Sequence, residues 1–185
     1  MNFQYKIIRS YRRTLGLQVK SDGSVIVRAP LAASLKSIER FVEEHAEWVV
    51  KQLEKYKAPE VRRAANNRLT SEELGALADE AMKIIPSRVN HYASVMGVRP
   101  GRITIRNQRT RWGSCSARGN LNFNCLLMLT PAEVLDSVIV HELCHLKHMD
   151  HSPAFYADVR RYYPEYDKWN NWLKKNGIAI MARNI

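Results

Sequence analysis

Cysteine is scarce in this chain: Cys115, Cys125 and Cys144 among 185 residues, an odd number with no CxxC pair. That argues against a disulfide framework and predicts a reducing, cytoplasmic setting. Long apolar runs are missing too. No stretch of about 18 apolar residues occurs, so no bilayer span is expected. The N-terminal `MNFQYKIIRSYRR` alternates polar and apolar residues where a signal peptide would carry an apolar core. Internal repeats and low-complexity tracts are absent, and an apolar fraction of 45% excludes wholesale disorder.

Acidic side chains are the other shortage. Eighteen Asp and Glu face 29 Lys and Arg, for a net charge of +11. Residues 1–69 hold 14 basic against 7 acidic side chains, and residues 101–130 hold five arginines and no acid. Residues 131–151 are net negative. Such a balance suits acidic or polyanionic partners, among them nucleotides and a weak association with nucleic acid, or simply a soluble basic surface.

The length suits one substantial domain with a small appendage. Residues 3–10 and 15–20 read as strands, `SDGS` at 21–24 as a hairpin turn, and `VIVRAP` as the strand after it. From about Ser34 to Lys57 apolar residues recur at helical spacing. His45 falls on that stripe, where a packed histidine with one satisfied nitrogen is the expectation. Residues 58–70 are polar and aperiodic and read as a linker. This organisation predicts an N-terminal hairpin-plus-helix module over 1–69 and a catalytic domain over 70–185.

In the second part, `TSEEL` opens a helix to about Met96, bent or interrupted near Pro86. Residues 102–108 and 121–129 read as strands. Thr130, Pro131 and Glu133 announce another helix with a capping box, continuing through `AEVLDSVIVHELCHLKH`. Ser152 and Pro153 start a further helix. A last one spans about Glu165 to Lys175, stopped by Gly177.

Four of the six histidines crowd into `HELCHLKHMDH`, residues 141–151. His141 and His145 stand four apart on a helix, so both imidazoles leave one face and can share an ion. Neutral imidazole suits zinc, and two ligands plus a third leave one position open for water, whose pKa falls to about 7. Glu142, next to the first ligand, can reach that water without ligating and serve as general base. This is the HExxH arrangement. Cys144, between the ligands, is expected to be buried rather than to ligate.

The third ligand is His148 or His151. On a continuing helix His148 would be strung along the axis, with poor reach toward the same ion. His151 precedes a fresh helix start, so a turn there favours it. The spacing of His141, His145 and His151 is similar to the metzincin pattern HExxHxxGxxH, with His148 standing where that pattern has glycine.

Taken with `RTRWGSCSARGNLNFNCLLMLTP` and `HSPAFYADVRRYYPEY`, the cluster resembles the YgjP-like family of metal-dependent hydrolases, relatives of the SprT-like zinc peptidases. The resemblance covers nearly the whole chain: `VIVRAP`, the `RWGSC` box, Asn124 with Leu127 and Pro131, `HELCH` and `DHSPAF` follow in the family's order. It implies one zinc ion on His141, His145 and His151, with Glu142 as base. It also implies an α+β, zincin-like metallopeptidase domain, its HExxH helix beside a small mixed sheet whose strand edge faces substrate. The strand around residues 120–128 is the expected counterpart.

An oxyanion needs stabilisation besides the metal. Arg109, Arg111, Asn124, His148 and Tyr156 are the candidates for that role or for binding substrate. Asp136 and Asp150 are candidates to orient ligand histidines. The leading expectation is a zinc-dependent hydrolase of the metallopeptidase type acting on a peptide. Two alternatives remain: a metal-dependent nucleoside triphosphate pyrophosphohydrolase using the arginine-rich segment as a clamp, and a nucleic-acid-associated zinc module without catalysis. Magnesium-carboxylate preference weighs against the first. The open coordination position weighs against the second.

Overall fold

A computed structural model of the chain describes residues 3–20 and 22–184. Ser21, the first residue of the expected `SDGS` turn, lies outside the described residues. The chain divides into two compact units, residues 1–67 and 68–185.

The first unit is built on three strands, β1 (Tyr5–Ser10), β2 (Gly16–Val19) and β3 (Val25–Pro30), in the order β1-β3-β2. β2 and β3 form the expected antiparallel hairpin, and β1 runs parallel to β3. At the turn, Gly23 adopts φ 81, and the Asp22 carboxylate accepts the Ser24 N–H at 2.8 Å. Left-handed backbone of that kind favours glycine.

The helix expected over 34–57 is two helices, α1 (Leu35–Glu44) and α2 (Ala46–Lys57), broken at His45. The break lets α1 bury Ile38 and Val42 against Val27 and Ala29, while α2 buries Val49 against Val19 and Val25. His45 is exposed rather than packed, its Nδ1 bonded to the Phe41 carbonyl at 2.8 Å. The expected linker contains a third helix, α3 (Pro59–Asn66), whose sole buried residue is Val61. One anchor produces no periodicity, which is why the pattern was silent there.

The second unit opens with α4 (Ser71–Met96), held by a complete Thr70–Glu73 capping box and closed by left-handed Gly97. It is unbroken at Pro86. The carbonyl that proline leaves without an N–H partner belongs to Met82, an exposed residue. Three short strands follow, β4 (Ile103–Arg106), β5 (Gly113–Cys115) and β6 (Leu121–Asn124), in the order β4-β6-β5. β6 pairs parallel with β4 and antiparallel with β5.

The strand expected over 121–129 therefore ends at Asn124 and passes into a 3-10 turn, Cys125–Leu129, where Asn124 Oδ1 accepts the Leu126 N–H. β6 is also the central strand, so it cannot present an edge to substrate. The edge strands are β4 and β5, and β5, in the `RWGSC` box, is too short to show alternation.

α5 (Ala132–Cys144) carries the first two cluster histidines at its C-terminal end. It lacks the expected capping box: Pro131 is the cap, and the Thr130 hydroxyl donates to the Leu127 carbonyl of the preceding turn instead. α6 (Pro153–Tyr162) starts at Ser152 as expected. α7 (Tyr166–Ala182) runs straight through Gly177. That glycine is not a stop but a contact: a Cβ there would sit 3.0 Å from the Trp112 ring.

The core of this unit gathers Ile85 and Val89 of α4, Leu121 and Phe123 of β6, Ile139 and Leu143 of α5, and Phe155 of α6, all fully buried. Among the described residues no helix is long and apolar enough to cross a membrane. The architecture is α+β, with the HExxH helix beside a small mixed sheet.

Candidate metal centre

α5 is buried on nearly every side, so its last turn can hold polar side chains only where they meet one another or a cleft. His141 and Glu142 lie in that turn and His145 caps it. The chain then reverses through hydrogen bonds from Leu146 to Leu143 and from His148 to Cys144. No described residue other than glycine has positive φ, so the reversal needs no glycine at His148. Beyond it, the Asp150 carboxylate accepts the Ser152 N–H at 3.2 Å and α6 begins.

This turn brings His151 back under the helix. Its Nε2 lies 3.1 Å from Nε2 of His141, and His141, His145 and His151 offer ligand atoms all within 4.8 Å of one another. Two ligands of one tetrahedral zinc at about 2.0–2.1 Å would stand roughly 3.4 Å apart, so the observed approach fits a shared ion. The far ring nitrogens are engaged: His145 Nδ1 donates to the His148 carbonyl at 2.9 Å, leaving its Nε2 with a free lone pair. His141 Nδ1 lies 2.9 Å from the Tyr166 hydroxyl. Phe155, fully buried, packs against all three imidazoles with ring centroids 4.6 to 5.0 Å away.

Electrostatics favour the ligand-competent forms. Burial, reinforced by repulsion from His145 and His151, pulls His141 down to about 3, so its imidazole is neutral at ordinary pH. His145 is lowered as well, chiefly by burial. Burial pushes Glu142 up to about 7, while Arg111 and the Cys115 N–H oppose that rise. Glu142 fits beside β5 because Gly113 has no side chain: a Cβ there would lie 2.7 Å from Glu142 Oε1. Together Arg111, Gly113, Ser114, Cys115, Met149 and the HExxH residues line a cleft of about 310 Å³.

The edge of β5 faces this cleft. Its ladder bonds run through Trp112, which accepts from Asn124, and Ser116, which donates to Asn120. By antiparallel alternation the main-chain groups of Gly113 and Cys115 point away from β6. The Cys115 N–H accordingly reaches Glu142.

The other residues singled out from sequence have different surroundings. Arg111 is exposed and lines the cleft; Arg109 is exposed but lies outside that lining. Asn124 is fully buried, donating to the Gln108 and Arg111 carbonyls at 2.7 and 2.9 Å, and so holds a loop rather than reaching a substrate. The His148 ring bonds Asp158 at 2.8 Å, and its carbonyl, not its ring, serves the cluster.

The Tyr156 ring lies 6.1 Å from that of His151 in a tilted arrangement, and the Arg160 guanidinium sits over the Tyr156 ring at 5.6 Å. Asp136 accepts from the Arg88 guanidinium through both carboxylate oxygens, at 2.7 and 2.8 Å, and no hydrogen bond joins it to a ligand histidine among the described contacts. Asp150 shapes the turn before α6. Cys144 is buried as expected, and burial pushes its thiol up to about 12.

Tyr166, Phe155, Gly113 and Trp112 lie in the stretches that carry the family resemblance, but the sequence assigns none of them a role at the metal. Only distant chain segments meeting in space give them a role, and no spacing rule carries that.

A family model described as "YgjP-like, metallopeptidase domain" matches residues 13–84 and 63–176. Among solved structures the chain is similar to the metallopeptidase zymogen jannalysin of Methanocaldococcus jannaschii, at 23% identity and a TM-score of 0.45, over 50% of this chain and 95% of that one. It is also similar to the zymogen abylysin of Pyrococcus abyssi, at 22% identity and a TM-score of 0.45, over 50% and 94%. No curated protein matches.

Proposed function

This chain belongs to the YgjP-like metallopeptidase-domain family and is a zinc-dependent hydrolase; from that premise we propose that it cleaves peptide bonds with one zinc ion held by His141, His145 and His151 and with Glu142 as general base. The observation that carries the reading is the convergence of those three imidazoles beside a buried carboxylate and an edge strand.

When bound, zinc supplies Lewis acidity, polarising a carbonyl and lowering the pKa of water to about 7. The chain's residues do the rest. The Glu142 carboxylate takes a proton from the attacking water and returns it to the departing amine nitrogen. The Cys115 N–H and Gly113 keep that carboxylate beside the strand edge. A substrate in extended form lies along β5, where the main-chain groups of Gly113 and the Cys115 carbonyl point away from β6 and are open to strand addition. The Tyr166 hydroxyl and the His148 carbonyl orient His141 and His145. Arg111 is the cation at the cleft rim that faces a bound substrate.

The phosphoanhydride alternative finds less here, since Glu142 is the one carboxylate among the residues lining the cleft. The test is turnover of casein and a peptide library by zinc-loaded protein beside Glu142→Gln. Loss of cleavage in the variant with zinc still bound is expected. Retained turnover in that variant would overturn the mechanism, and no cleavage of any peptide by the wild type would overturn the function.

A further inference from the structure

Arg111 is presented to the cleft by a loop built to hold it. Its carbonyl accepts from the buried Asn124 amide at 2.9 Å, and the same amide takes the Gln108 carbonyl at 2.7 Å, so the backbone is pinned at both ends of residues 108–111. The next residue, Trp112, is wedged against Gly177 of α7. The guanidinium itself stays exposed and makes no ion pair among the described residues.

Among the described residues no acid forms an ion pair with it, and Glu142 attracts it only through space from its buried place beside the cleft. Segment 101–130 has no acid, Glu142 is buried and held by the Cys115 N–H, and Asp150 accepts the Ser152 N–H. Arg111 stands two residues before Gly113, at the entry to the edge strand along which an extended peptide would lie.

Resting on the peptidase reading of this same cleft, we propose that Arg111 makes it selective for acidic peptides, binding an Asp or Glu carboxylate next to the scissile bond. Guanidinium suits this task because its planar fork matches a carboxylate with two parallel hydrogen bonds. Pinning the backbone beforehand reduces the ordering cost of binding.

The test uses decapeptides of alanine and glycine carrying Glu, Gln or Lys on either side of the central bond. Cleavage is measured with zinc-loaded protein, and equilibrium binding with zinc-loaded Glu142→Gln by fluorescence anisotropy. The Glu peptides should exceed the Gln peptides by about tenfold in kcat/KM and in affinity, with Lys peptides weakest. Raising salt should shrink the preference. Arg111→Met should abolish the preference, and Arg111→Glu should reverse it toward Lys, with zinc content unchanged in both.

Equal handling of the three peptides by wild type, or a preference that survives Arg111→Met, would overturn the inference while leaving the peptidase reading intact. Acid-selective binding without cleavage of any peptide would sink the peptidase reading and leave the selectivity standing. A nucleoside triphosphate that binds at Arg111 more tightly than the Glu peptides would overturn the assignment to peptides.

Discussion

The Tyr166 hydroxyl lies 2.9 Å from Nδ1 of His141, a contact spanning 25 residues of chain and joining the last helix to the metal-binding one. In the tautomer that leaves His141 Nε2 free for a metal, Nδ1–H donates to the phenol oxygen. Tyr166 is 4% exposed, so water cannot replace it easily.

Tyr166→Phe should weaken zinc binding about tenfold, read by competition with a chelator of known affinity. The ring remains to fill its place, so the unfolding midpoint of the metal-free protein should move little. Unchanged zinc affinity would show that the hydroxyl does not orient the ligand.

Gly113→Ala should separate catalysis from metal binding. The added methyl meets Glu142 Cγ and Oε1 at 2.7 Å and must displace the carboxylate. With displacement approaching an ångström, kcat/KM should fall on the order of a hundredfold while zinc content stays at wild-type level. Activity within a factor of three of wild type would mean that Glu142 has freedom this packing denies it.

Glu142 gives the metal-free protein a pH signature. Its folded value, about 7, lies above the ordinary 4.5. A carboxyl raised on folding contributes its stability below about pH 4.5 and loses it as pH climbs through 7. Glu142→Gln removes this dependence, so the stability of the variant relative to wild type should rise between pH 5 and 8, by up to about 3 kcal/mol. Urea unfolding of both metal-free proteins across that range measures the slope. A difference that is flat with pH would contradict the buried, raised carboxyl.

Asp136 is predicted to matter for folding and not for the metal. Its carboxylate grips Arg88 of α4, with side-chain exposures of 14% and 38%. Asp136→Asn should cost about 1–2 kcal/mol, discounted because the arginine reaches water. Zinc affinity should be unchanged; a tenfold loss would restore the role in orienting a ligand that its place in sequence suggested.

Much of the site was legible because its chemistry is local. HExxH needs one helical turn, and the helix start at Ser152 was signalled by its own cap, so His151 could be placed at a turn. Asp136 and Asp150 show how far nearness in sequence reaches. Nearness in sequence suggested that they served the histidines, but each carboxylate found a nearer donor, Arg88 in one case and the Ser152 N–H in the other. Pro86 and Gly177 carried punctuation that packing overrode, the first in a helix whose freed carbonyl is at an exposed residue, the second against a tryptophan ring.

By itself the sequence determined the elements whose signals are short-ranged: the hairpin, the capped start of α4, the helix bearing His141 and His145, and the ligand and base types that zinc hydrolysis requires. Tertiary structure alone decided which strand edge borders the cleft, that Phe155 underlies the imidazoles, and that Tyr166 and Gly113 set His141 and Glu142 in place. The physical reason is range. Periodicity and caps act within a few residues of backbone, whereas a strand edge, a packed ring and a second hydrogen bond to a ligand exist only once distant segments share one core.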